Sequence, residues 1–154
     1  MQQKAFDIIP NKFCTGDFRC RVLDRTNNVI QIIEEHNLVV NTAKTILATL
    51  LGGTGHPVSL IGFGTGTAAA NVADTGLLTP EYYGITGVMY PAGGTSVQFN
   101  WYLAYDQLVG VNISEFGLFT EDYDMFSKKT YSAIPKSADM AFDGQWTITF
   151  FQES

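Results

Sequence analysis

Cysteine, cationic residues and long apolar runs are all scarce in this sequence, and each shortage removes a class of protein. Cysteine occurs twice, at Cys14 and Cys20. Two are too few for the disulfide framework of a small secreted domain, and no second ligand pair completes a zinc site. Both read as reduced, packed side chains of a chain assembled in a reducing cytoplasm. Lysine and arginine total 9 against 15 acidic residues, a formal net charge of −6. Phosphate-binding surfaces draw their affinity from clustered cations, so nucleic acid is not an expected partner. The longest unbroken apolar run is Trp101 to Tyr105, far short of the roughly 20 residues that cross a bilayer, and no membrane partner is expected. The first residues, Met1 to Asp7, lack the apolar stretch of a signal peptide, so export is not expected either.

What is present is a chain of 154 residues with 45% apolar content, enough for one globular domain that buries roughly 70% of its unfolded surface. No internal repeat or linker composition divides it. Small and polar residues dominate Met1 to Lys12, residues 64–76 and residues 91–96. The expected organisation is an extended N-terminal arm over residues 1–17 and a single β-rich domain over 18–154. Such arms often order only against a neighbour, which makes Phe6, Ile8, Ile9 and Phe13 candidate interface residues.

Short alternating segments predict strands. Phe18 to Asp24 and Val29 to Glu34 flank the turn signal Arg25-Thr26-Asn27-Asn28 and read as a hairpin. Asn41 is placed to cap a helix over Thr42 to Leu51, where Ala43, Ile46, Leu47, Leu50 and Leu51 recur at helical spacing before Gly52-Gly53. That helix should lay one stripe on a sheet. Val58 to Gly64 reads as a strand entering a loop, Thr65 to Gly76, that Val72, Leu77 and Leu78 could anchor. In Val97 to Tyr105 the alternation puts Val97, Phe99, Trp101, Leu103 and Tyr105 on one face, the expected core. Further strands are expected at Val111–Phe119, Met125–Ile134 and Gln145–Phe151. The fold class expected is mainly β, an antiparallel β-sandwich or jelly-roll-like sheet with one packed α-helix.

No constellation commits the chain to a reaction, and no catalytic residue, cofactor or metal is expected. Gly62-Phe63-Gly64-Thr65-Gly66-Thr67 lacks the lysine and following hydroxyl residue of a phosphate-cradling loop. Its glycines read better as a place where another backbone, of the same subunit or the next, comes close. His36 reads as a solvated turn residue and His56-Pro57 as a loop entering a strand; neither has a serine in nucleophile context. Glu121-Asp122-Tyr123-Asp124 lacks the glycine and glutamate of a calcium loop and reads as a solvated turn. Glu34-Glu35 and Lys128-Lys129 read as exposed strand ends or edge charges. Glu115 is either an exposed residue of the alternate face or a charge paired across an interface; exposure is preferred because burying a pair means desolvating two ions.

Three strings occur in a telling order: Asn37-Leu38-Val39-Val40-Asn41-Thr42-Ala43-Lys44, then Ile61-Gly62-Phe63-Gly64-Thr65-Gly66, then Ile113-Ser114-Glu115-Phe116-Gly117-Leu118-Phe119-Thr120-Glu121-Asp122. Together, and with Met125 to Lys136 after them, they resemble bacteriophage virion structural proteins, in particular the N-terminal attachment module of phage tail-collar fibres. The likeness runs over about residues 29–150. It departs from that pattern at Asp122-Tyr123-Asp124, where such modules carry Asp-Gly, which implies a longer or differently shaped turn. With the sequence ending at Ser154, a complete receptor-binding fibre with shaft and tip is not expected.

The resemblance implies a non-enzymatic building block of a virion, assembled in the host bacterial cytoplasm, whose partners are other copies of itself and other phage structural proteins of tail or capsid. Gly62, Gly64, Gly66 and Glu115 join the arm residues as interface candidates on this reading. A capsid decoration (cement) protein is the alternative. A host-surface carbohydrate-binding module ranks third, since Trp101 is expected in the core and not on a sugar-stacking surface.

Overall fold

The computed structural model describes residues 13–150. Among these residues nine strands and one helix follow one another as β1 (Cys14–Leu23), β2 (Val29–Val39), α1 (Thr42–Leu51), β3 (Val58–Gly64), β4 (Pro80–Ile85), β5 (Gly87–Met89), β6 (Ser96–Leu103), β7 (Asn112–Thr120), β8 (Met125–Pro135) and β9 (Ala141–Phe150). The spatial order is β4-β3-β7-β8-β2-β1-β9-β6-β5, with every neighbouring pair antiparallel. The mainly β, antiparallel sandwich with one helix is therefore the fold.

Two layers arise because β2 belongs to both. Along most of its length it pairs with β1, from Gly16↔Asn37 to Leu23↔Val29. Only Leu38 and Val39 cross over to pair with Lys128 and Ser127 of β8. Strands β2, β1, β9, β6 and β5 thus make one layer, and β4, β3, β7 and β8 the other. The core between them is aromatic. Phe18 meets Phe116 at 4.8 Å and Trp146 at 5.0 Å, and Phe63 meets Trp101 at 5.4 Å, the last two contacts edge-to-face. Tilted and edge-on packing of this kind is favoured by the ring quadrupoles, beyond the area that it buries.

The hairpin, the helix and the strands expected at Val58, Val97, Val111, Met125 and Gln145 are all present. Trp101 is in the core as expected. Cys14 and Cys20 are buried free thiols, and burial pushes the Cys14 pKa up to about 11 and that of Cys20 further in the same direction.

Several expectations need correction. Residues 14–17, expected in an extended arm, belong to β1: Cys14 to Asp17 pair with β9, and Gly16 and Asp17 pair with β2 as well. Phe6, Ile8 and Ile9 lie outside the described residues. Asn41 does not cap α1: its own backbone is helical and its side chain makes no cap bond, while its N–H donates to the Val72 carbonyl at 2.8 Å. Strands β4 and β5 were not expected. His36 lies within β2, on its exposed face, and its ring bonds Asp17 at 2.7 Å.

Candidate functional site

The most built-up polar centre surrounds Glu115, in the middle of β7. All but the first residue of β7 are buried, so both of its faces are covered. A bulge between Ile113 and Glu115 resets the alternation. Beyond it, Phe116 and Leu118 face the aromatic core, while Phe119 faces a second, smaller cluster with Val40, Leu77 and Met125. Glu115 falls on the side of this second cluster, beneath the segment 65–79 that leaves β3.

Three backbone amides converge on its carboxylate. Gly66 N–H donates to Oε2 at 2.9 Å, Thr79 N–H to Oε2 at 2.8 Å and Leu78 N–H to Oε1 at 2.9 Å. Lys128, on the adjoining β8, places Nζ 3.6 Å from Oε1 and 3.3 Å from Asp74 Oδ2. The Glu115 and Lys128 side chains are each 1% exposed. Neighbouring bonds fasten the same segment: Ser114 Oγ donates to the Gly66 carbonyl at 2.6 Å, Thr65 N–H to the Thr79 carbonyl at 3.0 Å and Thr130 Oγ1 to the Ala68 carbonyl at 3.0 Å. An acidic side chain has here replaced the strand partner that this backbone would otherwise need.

The preferred exposure of Glu115 is thus overturned, and its pairing partner belongs to its own chain. Desolvation did not forbid burial because three N–H donors and an ammonium replace the lost water. Lys128 is likewise buried, contrary to the exposed strand end expected of it; its neighbour Lys129 is half-buried and pairs with Glu35. The close approach expected at the glycines falls within the chain. A Cβ at Gly64 would stand 2.5 Å from both the Thr79 carbonyl oxygen and Glu115 Oε2, and one at Gly66 2.7 Å from Glu115 Oε2. Gly62 faces Phe119 and Tyr83 at 2.8 Å by the same construction. All three are buried. Leu78 anchors the segment through its N–H, since its side chain is exposed; Leu77 supplies the apolar contact.

Two surface features complete the inventory. In the β7–β8 turn, Tyr123 takes a left-handed φ of 64°. Asp122 accepts from His56 Nδ1 at 2.7 Å, and Glu121 lies 3.5 Å from Nε2. Carboxylates on opposite ring nitrogens suit an imidazolium, and the hydrogen bond to Asp122, then the charges of Asp122 and Glu121, raise the His56 pKa. Phe13, the one arm candidate within the described residues, is half-buried against Phe150 at 6.5 Å, with Lys44 Nζ 5.9 Å from its ring centre.

What the sequence does not announce is the Glu115–Lys128–Asp74 group. Asp74 and Lys128 are 54 residues apart, and no local pattern links them. The usable signal is the run Phe116-Gly117-Leu118-Phe119 directly after Glu115, which has no polar residue on either alternate face and so marks a strand covered on both. Comparison with known protein families, with curated proteins and with solved structures gives no match for this chain. The architecture of the described residues defines its class: an antiparallel β-sandwich with one helix and a buried acid–base pair that fastens a long loop.

Proposed function

We propose that this chain is a non-enzymatic structural protein of a bacteriophage virion, a repeated assembly module at the tail, collar or fibre-attachment site. One observation carries the reading. Two of the three strings that resemble tail-collar attachment modules, and the segment after them, meet at one centre: Glu115 comes from the third string, Gly64 and Gly66 from the second, and Lys128 from the segment that follows. Pieces that look unrelated along the sequence are therefore coupled physically, as a shared structural module requires. The function of such a module is to present shaped surfaces to other copies and to other virion proteins, over roughly 1,200–2,000 Å² for a contact of standard size.

Antibodies raised against the purified protein, used for gold labelling of intact phage particles, test this. Label at the tail or collar is the expected result. Label spread over the head lattice would replace the reading with capsid decoration, and particles free of label would overturn both.

A further inference from the structure

Between α1 and the sheet layer that holds β5, β6 and β9 runs an apolar groove of about 460 Å³. Leu47, Leu50, Val58, Val88, Tyr90 and Phe150 are among the side chains that line it. Several are unusually open for apolar residues: Leu50 is 37% exposed, Val88 50% and Tyr90 76%. An apolar cleft bordered by exposed apolar side chains is the signature of a surface that something covers.

We infer that the groove is the seat of this chain's own segment Phe6-Asp7-Ile8-Ile9. The chain reaches the described fold at Phe13, whose ring packs on Phe150, a groove residue, and lies by Lys44 on α1, the helix that forms one wall. The arm therefore joins the fold at the groove's mouth. Four extended residues span about 13 Å, so Ile9 can enter from Phe13 without rearrangement. Phe6, Ile8 and Ile9 give three large apolar side chains within four residues. A tether of only Pro10-Asn11-Lys12 favours the arm of the same chain over that of a second copy, since a short linker holds its segment near at an effective concentration on the order of millimolar. The docking needs nothing of the virion reading and would stand if that reading fell.

Disulfide trapping in the full chain tests it. Ile8→Cys or Ile9→Cys is combined with Leu50→Cys, at the groove rim, while the native Cys14 and Cys20 stay buried. Mild oxidation should give a cross-link within the monomer, absent from each single variant. Cross-links only between two chains would give the seat to a second copy's arm and overturn the inference, as would no cross-link in either pair. A second measurement avoids reliance on cysteine placement. The full chain carrying Phe6→Ser, Ile8→Ser and Ile9→Ser should bind the apolar dye 1-anilinonaphthalene-8-sulfonate with several-fold higher fluorescence than the unaltered chain, at an unchanged circular dichroism spectrum. Equal fluorescence would mean that the native arm leaves the groove uncovered, and the inference would fail.

Discussion

Trp101 lies across the backbone of Gly144. The two residues are cross-strand partners in the β6–β9 ladder, and a Cβ at position 144 would sit 1.9 Å from the indole ring. The glycine gives the ring its floor, and the ring fills the space that the glycine leaves empty. Gly144→Ala should therefore destabilise the fold by at least about 1–3 kcal/mol through overpacking. Trp101→Ala should cost about 3–5 kcal/mol through the cavity it creates. The double variant should lose less than the sum, because the second change removes the clash made by the first. Urea unfolding of the four proteins measures this coupling, and strict additivity would contradict the stated contact.

Removing Glu115 leaves Lys128 buried beside Asp74 and strips three amides of their acceptor. Glu115→Ala should cost about 3–5 kcal/mol, the range for breaking a buried pair from one side. Loss should concentrate in the segment 65–79. Amide hydrogen exchange should show Gly66, Leu78 and Thr79 losing protection before β1 and β9 do. Replacing Lys128 by methionine in the same chain should recover part of the stability, since an apolar side chain tolerates the site without a counter-ion.

His56 makes a pH dependence testable. Its folded pKa is raised above the ordinary value of about 6.5, first by the hydrogen bond to Asp122. A raised basic group stabilises the fold fully below its unfolded pKa, and that contribution is lost as the pH rises through the folded one. The group is solvent-exposed, so the effect on stability is small and screened by salt. Histidine ring shifts followed by NMR should titrate higher in the unaltered protein than in Asp122→Asn, and coincident curves would remove Asp122 as the cause.

Burial makes both thiols poor nucleophiles. Cys14, with its pKa pushed up to about 11, and Cys20, shifted upward still further by desolvation, should react slowly with a disulfide reagent at pH 8 while the protein is folded. Both should react at ordinary rates in denaturant. Fast labelling of Cys20 in the folded state would contradict its place in the core.

Elements with a buried face were legible from sequence. The alternation of Val97 to Leu103 gave β6 its inward face, and the helical spacing of Ala43 and Ile46 gave α1 the two residues that it buries. Strands β4 and β5 escaped because they lie at the two ends of the sheet order, where Pro80, Gly84 and the exposed Val88 and Met89 obey no burial pattern. The polar centre escaped for another reason. Charge predicts exposure only when nothing else can solvate it, and what solvates Glu115 is backbone 36–49 residues away. The side-chain identities of that backbone carry no trace of the role, apart from the glycines that let it come near.

Cys14 and Phe150 face each other at the outer end of the β1–β9 ladder, which continues without a register shift to Leu23 and Ala141. Tension that draws those two residues apart would open the ladder like a zip, rupturing one pair at a time. Tension applied along the strands, from Cys14 toward Ala141, would load all the rungs together in shear. The domain should accordingly resist stretching lengthwise through its layers and yield first when it is hauled by that single corner.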